Sequence, residues 1–333
     1  MQEIKNNPEI KEAESFRTEM LSVSVSPHIL SKKTTTGIML DVIIALCPAL
    51  VAGCIIFGLR ALLVTAVCLA AAVLSEFLFN LVCKREQTIR DLSAAVTGLL
   101  LALNLPANTP LWQAVIGSAF AIVIVKCLFG GIGQNFANPA ITARIFMLIS
   151  FKNLASAAFP VTYDTIASAT PLAILKDGGK MSSLTDLFFG VHGGAIGETC
   201  ILALLIGGAY LMIRKVISWH TPVAFIGTVF LFTLAVSRDG TVTLQYLLSG
   251  GLFLGAFFMA TDYVTTPTTP TGRAIFGVGC GIITVAIRFW GSYPEGVSFA
   301  ILLMNILTPY IDKWTARRTF GTGRAVKAGG GAK

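Results

Sequence analysis

Long apolar runs separated by short polar segments dominate the pattern of this sequence. A helix needs about 20 apolar residues to cross a bilayer core, and a lipid-exposed backbone must satisfy its own hydrogen bonds. We therefore predict ten membrane-spanning helices, at residues 38–59, 61–83, 92–104, 111–129, 139–151, 194–213, 222–237, 244–260, 274–289 and 297–311. The spans at 92–104 and 139–151 are too short to cross alone, because a helix rises only about 1.5 Å per residue. They are predicted to be half-helices or parts of broken helices.

Composition supports an integral membrane protein. Of the 333 residues, 54% are hydrophobic and 13% are charged, whereas soluble domains have about 25% charged residues. The net charge of +8 is consistent with a membrane protein, because the cytoplasmic loops of such proteins are enriched in lysine and arginine. Nucleic-acid binding is not predicted, because no basic patch is interleaved with aromatic residues. The seven cysteines form no Cys-x-x-Cys pair and the three histidines are scattered, so no disulfide framework or metal site is predicted.

The distribution of basic residues predicts the orientation of the spans. Lysine and arginine are enriched in cytoplasmic loops, and here they concentrate in alternate loops, such as those at 84–90 and 214–215. This pattern places both termini in the cytoplasm and the loop carrying Thr170 outside. The predicted parts are an N-terminal tail at 1–37, five helices at 38–151, the outer loop at 152–193, five helices at 194–311 and a basic tail at 312–333.

Two segments, each in the fourth span of its block, have related sequences. Residues 117–126 read GSAFAIVIVK and residues 279–288 read GCGIITVAIR, with a glycine first and a basic residue last. Because each block has an odd number of spans, such a repeat is inverted, as in many transporters whose sites lie near the membrane midplane. Chance similarity between two apolar runs is the alternative.

A first break in the apolar pattern, at 130–144, contains three glycines and several polar residues. Asn138 is suited to cap a helix and Pro139 to occupy its first turn, which leaves free N–H groups for polar or anionic atoms. Arg144 lies inside an apolar segment, where a charge is costly and is usually functional or paired. Asn135, Asn138 and Arg144 are therefore candidates for ligand contact. A structural helix break without a ligand is the alternative.

A second break, at 259–273, contains two prolines that stop a helix. Thr261 and Asp262 belong to a cluster of hydrogen-bonding groups at the end of an apolar run. They are candidates for contact with a second flavin-like ring or for the polar seam of the repeat. In the alternative interpretation the segment is a loop in which Asp262 pairs with Arg273.

Thr170 lies in the segment 164–172, which reads DTIASATPL. From these residues alone it is a loop threonine that Pro171 holds in extended geometry. The segment resembles the flavin-attachment motif of one family, formed by the D subunits of Rnf ion-translocating electron-transport complexes and the B subunits of sodium-pumping NADH:quinone oxidoreductases. In that family the threonine hydroxyl forms a phosphoester with FMN. The resemblance implies covalent FMN at Thr170, within a motif that includes Ser168, Ala169 and Pro171, although glycine is usual where Ser168 stands.

Further segments resemble the same family in the expected order, from about residue 24 to residue 313. They are the breaks at 130–144 and 261–272 and the segments at 26–28 (SPH), 38–41 (IMLD), 91–98 (DLSAAVTG) and 290–297 (WGSYPEGV). The resemblance implies an all-α polytopic protein of the bacterial inner membrane, with ten helices in two inverted repeats like those of urea transporters.

The resemblance also implies a function. The chain is expected to be one subunit of an ion-translocating oxidoreductase, which couples electron transfer between ferredoxin and NAD⁺ to movement of Na⁺ or H⁺. A riboflavin is implied besides FMN, and subunits of the A, B, C, E and G types are implied as partners. Iron–sulfur and nicotinamide sites are expected in those partners, so no catalytic residue is predicted in this chain.

Three carboxylates in or near the spans, Asp41, Glu76 and Glu198, are candidates for an ion path. Asp41 and Glu198 are alternatively interfacial caps, because both lie near predicted helix N-termini. Two other functions stay open. A flavin-free solute transporter or channel fits the repeat equally well, since fold does not settle function. The B subunit of the quinone-reducing pump is the second, and the short tail before the first span argues against it.

Overall fold

The computed structural model describes residues 33–151, 170–176, 183–291, 293 and 295–316. By its internal contacts the chain divides into Met1–Thr34 and Thr35–Lys333. All helices described below belong to the second unit, and only residues 33 and 34 of the first unit lie within the described ranges.

Helices make up almost all regular structure in these ranges, as the apolar pattern predicted. They are α1 (Thr35–Phe57), α2 (Leu59–Val82), α3 (Ser93–Leu103), α4 (Leu111–Ala119), α5 (Pro139–Ser150), α6 (Pro171–Lys176), α7 (Leu184–Phe189), α8 (Ile201–Ile213), α9 (His220–Ser237), α10 (Gly240–Leu248), α11 (Leu252–Leu254), α12 (Pro270–Trp290) and α13 (Val297–Thr315). Helix α4 continues as a π-helix, Phe120–Cys127, and α11 continues as another, Gly255–Met259. A single 3₁₀ turn, Ile89–Asp91, precedes α3.

Several of these helices have the length and apolar character of membrane spans. Helices α1, α2, α9 and α12 each qualify alone, and the pair Gly240–Leu248 and Leu252–Met259, bent by 62°, would form a fifth span. Their outer faces carry large apolar side chains, such as Ile55 and Val82, which are 77% and 79% exposed. A water-soluble protein rarely exposes so much apolar surface. The chain is therefore a multi-pass membrane protein.

Small residues allow the helices to approach each other closely. A Cβ atom placed on Gly277 of α12 would lie 2.7 Å from the carbonyl oxygen of Thr221 in α9. Gly207 of α8 similarly faces the backbone of Ala45 in α1. Such contacts are typical of membrane helices, whose association depends on close packing because lipid is as apolar as leucine.

Two predicted spans differ from the structure. The span predicted at 194–213 becomes helical only at Ile201, because the residues before it form turns whose backbone N–H groups bond to another segment. The backbone N–H groups of Ile196 and Gly197 donate to the carbonyls of Leu105 and Leu103, at 3.0 and 2.8 Å. The span predicted at 244–260 is broken at 249–251, where Gly250 has a φ of +72°. A prediction from apolar runs does not detect this bend, because the small residues at 249–251 do not end the apolar run.

Candidate functional site

Thr170 is the residue that begins helix α6. The backbone N–H of Ala173 donates to Thr170 Oγ1 at 3.2 Å, and the N–H of Ile174 donates to the Thr170 carbonyl at 3.0 Å. The hydroxyl oxygen thus caps the helix as an acceptor, and among the described residues the hydroxyl donates no hydrogen bond. Thr170 is half-buried and Pro171 is buried. Ser168 and Ala169 lie outside the described residues.

Arg144 of α5 is paired, as its position inside an apolar helix indicated. Its guanidinium donates to Asn104 Oδ1 and to a carboxylate oxygen of Glu295, and it lies 3.7 Å from Glu198 Oε2. The other oxygen of Glu198 accepts from the backbone N–H of Ala195 at 3.0 Å. Within the described part of the chain, Glu198 Oε2 accepts no hydrogen bond. One buried carboxylate, Glu198, and one half-buried carboxylate, Glu295, therefore share the guanidinium of Arg144; we call Arg144, Glu198 and Glu295 the carboxylate cluster.

Four predicted site residues, Asn135, Asn138, Thr261 and Asp262, line one cavity of ≈ 100 Å³. Its wall also contains three aromatic residues and one buried cation, namely Phe257, Phe258, Tyr263 and Lys126. The Asn135 Oδ1 atom is buried and has no hydrogen-bond partner among the described residues. The fold therefore brings both breaks of the apolar pattern to the same place, which their sequence positions alone did not reveal.

Asn138 caps helix α5, as predicted. Its Oδ1 accepts from the backbone N–H groups of Ala140 and Ile141, at 3.0 and 3.4 Å, and Pro139 occupies the first turn. Its Nδ2 donates to the carbonyl of Met259 at 3.4 Å. The start of α5 is thus tied to the end of the π-helix that follows α11, across the cavity wall.

The predicted pairing of Asp262 with Arg273 is wrong. Asp262 accepts from the Thr265 hydroxyl at 3.3 Å, whereas Arg273 Nε donates to the carbonyl of Pro267 at 3.0 Å. Arg273 lies in the first turn of α12, so its side chain folds back over the loop that precedes that helix.

Asp41 is an ion-pair partner and does not cap a helix. Helix α1 begins at Thr35, so Asp41 lies inside it. Its carboxylate accepts from the Tyr210 hydroxyl at 3.0 Å and from Arg214 Nη2 at 3.2 Å. The interfacial-cap interpretation of Asp41 is therefore wrong.

Glu76 lies in the apolar interior beside a lysine. Both side chains are 2% exposed, and Lys126 Nζ lies 2.7 Å from Glu76 Oε1. The Thr88 hydroxyl donates to the same oxygen, and Lys126 also donates to Ser93 Oγ, each at 2.7 Å. The charge of Glu76 is thus compensated within the protein.

The cavity and Glu198 lie at opposite ends of helix α8. Glu198 precedes its first residue, Ile201, whereas Val216 and Ile217 of the cavity wall follow its last residue, Ile213. Thirteen residues of helix span about 20 Å. The predicted cavity residues and Glu198 are therefore separate, and Arg144 belongs to the carboxylate cluster and not to the cavity wall.

Sequence reasoning missed the partners of these charges. Glu295 and Asn104 are 151 and 40 residues from Arg144 along the chain, and only the fold brings them to it. For Lys126 a signal was present, since a lysine inside an apolar run requires a buried partner.

Comparison with known proteins gives consistent matches over most of the chain. The family described as NQR2, RnfD, RnfE matches residues 22–321. The D subunit of the Na(+)-translocating ferredoxin:NAD(+) oxidoreductase complex of Acetobacterium woodii is 49% identical, over 92% of this chain and 97% of that protein. The D subunit of the proton-translocating ferredoxin:NAD(+) oxidoreductase complex of Clostridium ljungdahlii is 41% identical, over 93% and 98%. The D subunit of an ion-translocating oxidoreductase complex of Vibrio cholerae is 38% identical, over 90% and 99%.

Proposed function

Because the chain belongs to the NQR2, RnfD, RnfE family, we propose that it is the D subunit of an Rnf complex. Such a complex is an ion-translocating ferredoxin:NAD⁺ oxidoreductase, and its other subunits are the partners of this chain. The observation that carries the proposal is 49% identity to a D subunit over 92% of this chain. Of the two relatives named by their ion, one is sodium-translocating and the other proton-translocating. The coupling ion of this complex therefore has to be measured.

Within that function, this chain carries FMN covalently on Thr170. The motif around Thr170 supports the attachment, and so does the geometry, since the hydroxyl is half-buried at the start of a helix and donates no hydrogen bond to any residue that the structure describes. Bound FMN supplies one- and two-electron redox chemistry, and the protein fixes its position. The residues of this chain hold the attachment segment beside Gly250 and the carboxylate cluster beside the adjacent Gly251.

Riboflavin, the second flavin, binds at the cavity lined by Asn135, Asn138, Thr261 and Asp262. Aromatic side chains suit the faces of the ring, and amide and hydroxyl groups suit its polar edge. The unpartnered Oδ1 of Asn135 could accept from a ring N–H. The free volume of ≈ 100 Å³ is below the roughly 300 Å³ of small-molecule sites. Binding therefore requires lining side chains, such as Phe258, to move outward.

The membrane topology completes the proposal. Ten spans in two inverted five-helix repeats, at 38–151 and 194–311, cross the bacterial inner membrane, and the loop at 152–193 lies outside. The tails at 1–37 and 312–333 are cytoplasmic. The basic loops support this orientation. The broken pair at Gly240–Met259 and the short helices α3 and α5 support a transporter-like repeat with broken helices.

In-gel fluorescence of the denatured complex tests the flavin assignment. We expect the wild-type chain to fluoresce under ultraviolet light, Thr170→Val to be dark and Thr170→Ser to keep some signal because it retains a hydroxyl. Denaturation should also release a second, unbound flavin from both the wild type and Thr170→Val. Fluorescence in both the wild type and Thr170→Val would place the attachment elsewhere. A dark wild type with no released flavin would favour a flavin-free transporter.

Ferredoxin-dependent reduction of NAD⁺ by the assembled complex separates the D subunit of an Rnf complex from the B subunit of a quinone-reducing pump. The family includes both types. Quinone reduction in place of NAD⁺ reduction would overturn the present assignment.

A further inference from the structure

The bend between α10 and α11 creates a notch that holds the segment carrying Thr170. Gly250 has a φ of +72°. A Cβ atom built on it would lie 2.5 Å from Leu172 Cδ1 and 3.6 Å from Leu172 Cγ. The space that a side chain would need at position 250 is therefore filled by Leu172, which is 2% exposed.

The neighbouring glycine of the same bend faces the carboxylate cluster. A Cβ atom on Gly251 would lie 2.9 Å from Glu198 Oε2 and 3.5 Å from Arg144 Nη1. The two glycines thus leave room for the attachment segment on one side and for the charged groups on the other.

A second contact anchors the far end of α6. Lys176 Nζ donates to the carbonyl of Gly291, directly after the last residue of α12. Helix α6 has only 6 residues, far fewer than the roughly 12–15 that an isolated helix needs to be stable in water. Its structure, and therefore the place of Thr170 at its start, depends on these contacts.

We propose that Leu172 and Gly250 are positioning residues for the flavin attached at Thr170. Leu172 seats in the notch left by Gly250 and fixes the hydroxyl two residues away. The inference rests on the proposed attachment of FMN at Thr170. Esterification joins the Thr170 oxygen to the phosphorus of an activated flavin phosphate, a phosphoanhydride, whose leaving group departs with the hydroxyl proton. A hydroxyl held in one place favours that encounter and then fixes the tether of the bound flavin.

Paired substitutions test the notch in the assembled complex. Gly250→Ala inserts a methyl group where Leu172 lies and also strains the backbone at a φ of +72°, whereas Leu172→Ala removes the group that fills the notch without that strain. We expect each to lower the flavin fluorescence per chain in a denaturing gel several-fold. The double variant should recover part of the signal lost in Gly250→Ala, because the smaller side chain at 172 leaves room for the new methyl group. Gly227→Ala in α9, where a Cβ would meet nothing within 4 Å, is the control and should match the wild type.

Cysteine labelling measures whether Leu172 docks in the notch, and it does not depend on bound flavin. In a chain whose seven native cysteines are replaced, Thr170→Cys should react with a maleimide several-fold faster when Leu172→Ala is also present. The labelling rate remains a test of docking even if the wild type carries no flavin. In that case only the proposed attachment of FMN at Thr170 fails. If Gly250→Ala does not assemble, Leu172→Ala carries the test. Wild-type flavin content and an unchanged labelling rate in Leu172→Ala would overturn the positioning role.

Discussion

Replacing Lys126 by methionine should destabilise the protein strongly, because it leaves Glu76 as a buried, uncompensated carboxylate. The two side chains are each 2% exposed and their charged atoms are 2.7 Å apart. At an effective dielectric constant of about 20 the direct attraction is about 6 kcal/mol, and the cost of desolvation offsets part of it. Removing one partner of such a pair costs about 3–5 kcal/mol. For a chain of this size we expect the thermal midpoint to fall by roughly 4–7 °C.

The assay is the thermal midpoint of detergent-solubilised protein, followed by the loss of monodisperse material. Lys126→Met combined with Glu76→Met should recover most of the stability, because apolar replacement of a buried pair is often near neutral, within about 1 kcal/mol. Arg214→Met is the control. It breaks the half-exposed pair with Asp41, a type worth about 0–1 kcal/mol. An unchanged midpoint in Lys126→Met would refute the reasoning, as would a double variant no more stable than the single one.

Two further substitutions have defined outcomes. Arg144→Met should lower the free energy of unfolding by about 3–5 kcal/mol, because it leaves Glu198 and Glu295 without their cation. Adding Glu295→Gln should recover part of this stability. The prediction would be contradicted if both variants had the thermal midpoint of the wild type. Asp239 caps α10 by accepting from the backbone N–H and hydroxyl of Thr241, at 2.9 and 2.7 Å, and these bonds lower the pKa of its carboxyl below the ordinary 3.8. Its contribution should be complete above the ordinary pKa and be lost as the pH falls through the lowered one. Asp239→Asn should therefore weaken the dependence of the thermal midpoint on pH in acid, and an unchanged acid profile would count against this cap.

Local features of the fold were readable from the sequence because their causes are local. The start of α5 follows from Asn138 and Pro139, whose side chains cap and open a helix by themselves. The boundaries of most spans follow from apolar runs. The break at 249–251 was not predicted, because its geometry depends on the positive φ of Gly250 and on the groups that fill the space beside it.

The partners of the charged residues were not readable, because they are set by tertiary structure. Arg144 was expected to be functional or paired, but the sequence around it did not indicate Glu295 as its partner, because Glu295 is 151 residues away along the chain. For Asp262 the nearest arginine in sequence, Arg273, was the wrong partner. The prediction rested on proximity in the chain, whereas the helix that carries Arg273 directs its guanidinium to the carbonyl of Pro267.

Lys126 and Arg288 end the two segments whose sequences predicted a repeat, and both are buried at 2% exposure. Each needs compensation in an apolar interior, but they obtain it differently. Lys126 pairs with a carboxylate, Glu76. Arg288 instead donates to the carbonyls of Tyr246 and Ser249, at 2.6 and 3.2 Å, which α10 leaves unsatisfied where it ends at the bend. Arg288 thus lies at the same bend as Leu172, because a Cβ atom on Gly250 would be 3.5 Å from Arg288 Nη2 and 2.5 Å from Leu172 Cδ1. The two basic residues thus differ in the partners that compensate them, and the backbone partners of Arg288 lie at the bend where the Thr170 segment docks.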